Sequence, residues 1–108
     1  MKTELTSETL IKLGFYCELS FNTKWCFKHQ FPGQDVIIVS DIDKEKAASL
    51  FFIELLKSLH YSLKWLYENN RIDELRNTIE KYQNMKDENI NKTISIATRN
   101  MKFITPKQ

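Results

Sequence analysis

Two cysteines and two histidines are the side chains of this chain best suited to nucleophilic chemistry. A catalytic thiol needs a base within hydrogen-bond reach, so Cys17 or Cys26 would have to meet His29 or His60. Cys17 can pair with His29 across a predicted hairpin. Buried cysteines are usually inert, however, and we interpret Cys17 as a small core thiol beside a half-buried imidazole. The prediction is a chain that is not an enzyme, and a small hydrolase using Cys17 is the disfavoured alternative.

Metal and phosphate binding are the other kinds of chemistry to consider. Cys26 and His29 have the interval of a ligand pair, but a strand points them to opposite faces and no second pair completes a tetrahedral set. Asp41 and Asp43 resemble the carboxylates of a metal-dependent nuclease, yet capping of the helix that follows explains them better. The two glycines stand alone in separate turns, so there is no Gly-rich phosphate loop. We predict neither a metal nor a cofactor.

Length and composition predict one folded domain. The chain has 108 residues, of which 42% are hydrophobic and 12% aromatic, and its two cysteines are too few for a disulfide scaffold. No apolar run approaches the roughly 20 residues needed to cross a bilayer, and the N-terminus leads into no signal-peptide core. Thirteen Lys, eleven Ile and eight Asn are typical of an AT-rich genome, as in many bacteria and phages. We therefore expect a soluble, unprocessed protein in the cytoplasm of a bacterial host cell.

Residues 1–43 predict a short helix followed by a β-meander. Thr6 is the candidate N-cap, Leu5 and Leu10 form a hydrophobic staple, and Gly14 ends the helix after about two turns. The period of the pattern then changes to that of strands. The three predicted strands, of which the last is expected to be the most buried, are Phe15–Phe21, Trp25–His29 and Val36–Val39.

The register of the first hairpin follows from its two faces. A three-residue loop, 22–24, keeps aromatic residues together and opposite charges opposed. It also sends Cys17 and Cys26 to opposite faces, which predicts free thiols. The predicted cross-strand pairs are Phe21 with Trp25, Leu19 with Phe27, and Glu18 with Lys28.

Residues 44–101 predict the helical part of an α+β fold, in which a long central helix packs on a three-stranded antiparallel sheet. This helix runs from about Lys44 to Asn69, roughly 39 Å, with Ser40, Asp41 or Asp43 as its cap. Its core-facing stripe has helical spacing: Ala48, Phe52, Leu55, Leu56, Leu59, Leu63 and Leu66. One or two further helices follow, with apolar positions at Ile72, Leu75, Ile79, Tyr82, Ile90, Ile94, Ala97 and Met101. Residues 102–108 are predicted to be a tail.

Binding is the function that these patterns leave open. Leu50, Tyr61 and Trp65 lie off the core stripe, beside Lys64, and Tyr and Trp side chains often anchor interfaces. The alternative is that the later helices of the chain cover them. The C-terminal segment adds cations, because no acid follows Glu88. The candidate partner-binding residues are Leu50, Tyr61, Lys64, Trp65, Lys92, Arg99 and Lys102.

The motif Leu13-Gly14-Phe15, followed by an aromatic hairpin and by the helix segment 59–67 (LHYSLKWLY), resembles small uncharacterised proteins of Bacteroidota and their phages. The likeness covers roughly residues 5–67. In those proteins a Gln-Asn pair usually precedes Leu-Tyr in the long helix, where this chain has Ser62 and Lys64. The resemblance implies an accessory protein of mobile elements, a group in which non-enzymatic inhibitors of host defence, including anti-CRISPR proteins, are frequent.

The functional hypothesis from the sequence is therefore a phage or mobile-element accessory protein that binds a larger host protein or ribonucleoprotein and inhibits it sterically. The alternative is a nucleic-acid-binding accessory protein, with RNA or DNA contacting the basic C-terminal segment. No membrane contact is expected. Homodimerisation through the extra apolar face of the long helix is a further alternative.

Overall fold

The order of helices and strands is that of the predicted α+β class. The structure, a computed structural model, describes residues 6–102. Leu5 of the proposed staple and all but the first residue of the proposed tail at 102–108 lie outside the described residues. The elements are α1 (Ser7–Lys12), β1 (Tyr16–Leu19), β2 (Trp25–His29), β3 (Ile37–Asp41), α2 (Lys44–Glu68), α3 (Ile72–Gln83) and α4 (Glu88–Thr98).

The chain divides into two compact units, and α2 runs through both. The first unit comprises the described part of Met1–Phe31 together with Asp35–Leu55, and the second comprises Pro32–Gln34 together with Leu56 and the described residues after it. The first half of α2 therefore belongs to the core of the first unit, and its second half belongs to the core of the second.

In the first unit, the antiparallel sheet has the strand order β1-β2-β3. Its core is aromatic: the ring of Phe27 stacks on Phe51 at 5.4 Å between centroids, and Phe15 meets the edge of Phe51 at 5.9 Å. The predicted stripe of α2 is confirmed at Ala48, Phe52 and Leu55, all buried. Phe51 was missing from that stripe because the buried face of α2 is wider here than a single line of residues.

The predicted register of the β1–β2 hairpin is wrong by two residues. The observed pairs are Tyr16 with Lys28, Cys17 with Phe27, Glu18 with Cys26, and Leu19 with Trp25. The connection has five residues because Ser20 closes it: its N–H donates to the Lys24 carbonyl at 2.8 Å, and its Oγ donates to the same oxygen at 3.0 Å. Thr23 adopts φ +64° inside this turn.

A shift of two residues preserves the faces of the strands. Cys17 and Cys26 therefore still point to opposite faces, and both are free thiols, as predicted. The shift does move Phe21 out of the sheet, and its side chain is fully exposed at the hairpin tip. The predicted pairs Phe21–Trp25, Leu19–Phe27 and Glu18–Lys28 do not form.

The prediction that the third strand is the most buried is also wrong. Ile37 is buried, but Ile38 is 58% exposed and Val36 is exposed as well. Successive strand residues alternate between the two faces. Because β3 follows that alternation, every second side chain of its apolar run points away from the core of the unit. β3 is also an edge strand, with only β2 beside it in the described sheet.

Two sets of hydrogen bonds fix the start of α2. Of the three predicted caps, Asp43 is the one used: its Oδ1 accepts from the N–H of Glu45 at 3.0 Å and of Lys46 at 3.2 Å. The Glu45 carboxylate in turn accepts from Ser7 at the first turn of α1, at 2.8 Å from the backbone N–H and at 2.6 Å from Oγ. These two bonds tie α1 to α2. Thr6 caps α1 as predicted, its Oγ1 accepting from Thr9 N–H at 3.2 Å.

In the second unit, α2, α3 and α4 share a core to which the predicted helical positions contribute. Two separate C-terminal helices are present, because Lys86 adopts φ +58° and Asp87 begins a new helix by accepting from Ile90 N–H at 2.9 Å. The buried large side chains of this core are Leu59, Leu63, Leu66, Leu75, Tyr82, Ile90, Ile94 and Met101.

The turn Pro32–Gln34 is packed against α2 within the second unit. Ser62, fully buried, donates from Oγ to the Pro32 carbonyl at 2.6 Å. Gly33 adopts φ +76°, and a Cβ at this position would overlap the six-membered ring of Trp65. Trp65 therefore covers a backbone position that only glycine leaves open.

The contact between Gly33 and Trp65 generates a first prediction. Gly33→Ala should destabilise the protein by about 1 to 3 kcal/mol, since it adds both backbone strain and overlap. Gly14→Ala is the control: Gly14 has φ +101° but nothing within 4 Å of an added Cβ, so only strain applies. Urea unfolding measures the free energy of unfolding lost through Gly33→Ala, once in the wild-type protein and once in a Trp65→Leu variant. The two losses should differ strongly, because the substitutions act on the same contact. Additive effects of the two substitutions would mean that the ring does not occupy this space.

The bonds between Ser7 and Glu45 generate a second prediction, on pH. Hydrogen bonds from the Ser7 hydroxyl and backbone N–H lower the pKa of Glu45. The contact therefore stabilises the fold above about pH 4.3, the ordinary pKa of glutamate, and the stabilisation is lost as pH falls through the lower folded-state pKa.

Ser7→Ala should raise the Glu45 pKa towards its ordinary value and reduce stability at pH 7, with a smaller deficit at pH 3. Carboxyl carbon NMR titration and urea unfolding at both pH values measure these effects. Ser49→Ala, a change at an exposed serine of α2, the helix that carries Glu45, is the control. An unchanged Glu45 pKa in Ser7→Ala would contradict the assignment.

Candidate functional site

The proposed Cys17–His29 pair is not formed, because the hairpin register places Cys17 opposite Phe27. His29 instead lies between two aromatic rings, with centroids 5.0 Å from Phe15 and 4.7 Å from Phe31. Burial raises the pKa of the Cys17 thiol, partly offset by nearby Lys44, and this disfavours the nucleophilic thiolate. The cross-strand partner of Cys17 is therefore a phenylalanine and not a base.

The candidate metal ligands are likewise not brought together. Within residues 6–102, no three His, Cys, Asp or Glu side chains are grouped so as to hold a metal ion. Asp41 and Asp43 both accept backbone hydrogen bonds at the start of α2, Asp41 from the N–H of Asp43 at 2.8 Å. Cys26 and His29 lie three residues apart on β2 and so point to opposite faces.

The predicted docking residues of α2 have different surroundings. In the first unit, Leu50 is 44% exposed. In the second unit, Tyr61 is 58% exposed and Lys64 is exposed, whereas Trp65 is only half-exposed, against Gly33. The Arg71 guanidinium lies 5.0 Å from the centroid of the Trp65 ring. Much of the Trp65 surface is therefore used inside the unit, while Tyr61 remains open.

Tyr61 lines one of two adjoining cavities between α2 and α4, which we call the α2–α4 groove. Each cavity has a volume of about 260 Å³, and both are lined by His60 and Ile96. Ile96 is 47% exposed, so it forms part of an open wall rather than of the core. The other lining residues are Leu56, Lys57, Tyr61 and Thr93 in the first cavity, and Lys64, Tyr67, Glu68, Ala97, Asn100 and Met101 in the second.

Cations flank the apolar side chains of the groove on α4. Lys92 and Arg99 lie four residues before and three residues after Ile96, so all three project from one face of the helix. Lys64, three residues after Tyr61, is the corresponding cation on α2. Lys102 lies beyond the end of α4 and is exposed. The structure thus groups Tyr61, Lys64, Lys92 and Arg99, four of the predicted site residues, around one groove or beside it.

Ile96 and His60 are groove residues that the sequence interpretation did not name for binding; His60 was considered there only as a base for a cysteine. A signal for Ile96 existed: it is a large aliphatic residue outside the predicted α4 positions Ile90, Ile94 and Ala97. For His60 there was no signal, since its role depends on which helix packs beside α2. The exposed Phe21 at the hairpin tip of the first unit was missed too, because the wrong register placed it in the sheet.

Within residues 6–102, no helix combines sufficient length with sufficient apolar character to cross a bilayer.

The environment of Cys17 generates a third prediction, made on a Cys26→Ser variant so that one thiol remains. Because burial raises the pKa of Cys17, iodoacetamide at pH 8 should alkylate the native protein roughly tenfold or more slowly than the protein in urea. Mass spectrometry over time gives both rates. Native alkylation as fast as in urea would show an accessible, reactive thiol and revive the hydrolase alternative.

Comparison of the chain with family models, with curated proteins and with solved structures gives no match in any of the three. What the chain does is accordingly inferred from its own residues and their geometry.

Proposed function

We propose that this chain is a small non-enzymatic binding protein that docks onto a larger protein through the α2–α4 groove. The observation that carries the proposal is the exposure of two large side chains, Tyr61 and Ile96, in the same cavity. Soluble domains usually expose large apolar residues singly, whereas grouped and concave apolar surface is typical of interaction sites. Tyrosine is also among the residues that most often dominate binding energy.

Steric occlusion is the mechanism that such a surface supports. A protein of 108 residues that buries this groove against a partner covers part of the partner's surface and blocks whatever must bind there. The resemblance to accessory proteins of phages suggests which partners: a host protein or ribonucleoprotein, such as a CRISPR-type defence effector, in the bacterial cytoplasm. This choice of partner rests on the resemblance and not on the groove.

Nucleic-acid binding is the second candidate function, and the charge of the C-terminal segment favours it. Lys92, Arg99 and Lys102 are exposed, and residues 89–102 contain no acid. Exposed cations of this kind contact phosphates and give binding that weakens steeply with salt. The large exposed side chains beside these cations are the aliphatic Ile96 and one ring, Tyr61, whereas proteins that hold single strands stack successive bases on several aromatic side chains. The protein-binding function is therefore favoured.

The role of Tyr61 is the fourth prediction. Tyr61→Ala should weaken capture of the partner from host-cell extract by roughly 30-fold or more, as expected for a hot-spot side chain worth at least 2 kcal/mol. Tagged protein, nuclease-treated extract and quantitative mass spectrometry give the measurement. Far-ultraviolet circular dichroism checks that the variant is folded.

Tyr16→Ala is the matched control, because Tyr16 is an exposed tyrosine of the sheet in the first unit and does not line the groove. It should leave capture unchanged. Equal capture by wild type and Tyr61→Ala would exclude the groove as the docking site. Loss of all captured material on nuclease treatment would instead favour the nucleic-acid function.

A further inference from the structure

The groove has the length and the spacing of cavities that an α-helix requires. Its lining residues on α2 run from Leu56 to Glu68, about 18 Å at 1.5 Å per residue, or some three turns. Lys57 in one cavity and Lys64 in the other are seven residues apart, about 10 Å along the axis. A partner helix places anchor side chains at i and i+7 with this separation. Two anchors could therefore enter the two cavities.

The floor of the groove is suited to aliphatic anchors. Ile96 extends into both cavities, and Ala97 with the buried Met101 lies in the second. Leu56 and the ring of Tyr61 supply the apolar wall of the first cavity. The flexible methionine side chain adapts to anchors of different shape, and the small alanine leaves room for them. The apolar face of an amphipathic helix is the complement of such a floor.

The charges around the groove indicate which polar residues the partner helix should carry. Lys64 lines the groove, and Lys92 and Arg99 flank Ile96 on α4. Among residues 6–102, none of these three cations takes part in an ion pair. Glu68 is the single acid among the lining residues. Since complementary charge directs both encounter and partner choice, the favoured partner carries acidic side chains beside its apolar stripe.

We propose that the α2–α4 groove receives an acidic amphipathic helix of the partner, with aliphatic anchors in the two cavities and carboxylates facing Lys64, Lys92 and Arg99. The proposal rests on the proposed binding function and adds the chemistry of the partner to it. A nucleic acid would place phosphates against the same cations. It would leave the aliphatic floor formed by Ile96, Ala97 and Met101 without a complementary surface.

Three peptides of 18 residues test this chemistry on the full chain by fluorescence anisotropy. The first carries Leu at i, i+3, i+4 and i+7 repeats with Glu beside them. The second has Lys in place of Glu, and the third scrambles the first without changing its composition. The first peptide should bind saturably at one site, and the other two at least tenfold more weakly.

A charge-reversal variant makes the test specific to the groove. Lys64→Glu combined with Arg99→Glu should weaken binding of the acidic peptide at least tenfold and strengthen binding of the Lys peptide. The matched control, Lys24→Glu with Lys46→Glu, changes net charge equally at exposed lysines of the first unit and should leave both affinities within about twofold. Ile96→Ser should weaken binding of the acidic peptide, and this variant should still bind the acidic peptide more tightly than the Lys peptide.

Four outcomes would overturn the proposal. The first is that the acidic peptide shows no saturable binding up to 1 mM, and the second is that the scrambled peptide binds equally well. The third is that the groove variant and the control variant lose the same affinity for the acidic peptide. The fourth is that an 18-nucleotide single strand binds more tightly than the acidic peptide and depends on the groove residues. Capture of a host protein that depends on Tyr61, with no binding of the acidic peptide, would leave the proposed function standing and reject only the acidic helix.

Discussion

Burial of one face of α2 is the interaction on which both compact units depend. Leu55 closes the first unit, and Leu59, Leu63 and Leu66 lie at the centre of the second, all fully buried. Burial of a leucine side chain contributes about 1.5 to 3 kcal/mol, so these positions cannot become polar without loss of the fold. Net stability of a domain is itself only about 5 to 15 kcal/mol. The exposed flank of the same helix is free of this constraint.

Trp65 shows how the fold and the surface compete for one side chain. Its position in the sequence places it off the core-facing stripe of α2, where an indole would be expected to anchor a binding partner. In the folded second unit, the ring covers Gly33 and carries the Arg71 guanidinium on its face. Its energetic role is therefore largely internal. Tyr61, one turn earlier, is 58% exposed, with its ring in T-shaped contact with His60 at 5.5 Å, and it is the aromatic side chain on which the proposed function rests.

Much of the fold could be predicted because its determinants are local. Helical spacing located α2 and predicted one or two helices after it. Capping residues marked the starts of two helices, Thr6 for α1 and, among three candidates, Asp43 for α2. The change of period after Gly14 marked the sheet. Periodicity works here because each element has one buried face.

Features that depend on particular side-chain hydrogen bonds, or on contacts between residues far apart in the sequence, could not be predicted. Ser20 lengthens the hairpin turn through hydrogen bonds that no alternation of apolar residues reveals, and the register changed with it. The bonds from Ser7 to Glu45 join residues 38 positions apart. The groove itself depends on which face of α4 lies towards α2. Ile96 is visible in the sequence as a large aliphatic residue outside the predicted α4 positions, but its place in a groove depends on that arrangement.

Exposure of apolar side chains is not by itself the ground for proposing the groove as a docking site. In the first unit, Phe21 is fully exposed and Ile42 is 70% exposed, and neither lines the α2–α4 groove. A partner can enclose less of a side chain on a convex turn than of one in a concave surface. Because dispersion and the hydrophobic effect both grow with the enclosed surface, the convex side chain contributes less binding energy. Tyr61 and Ile96 line the same concave surface, with cations beside them. A concave shape, an apolar lining and cations without an ion pair occur together at the groove among the described residues, and this combination is the ground for the proposed binding function.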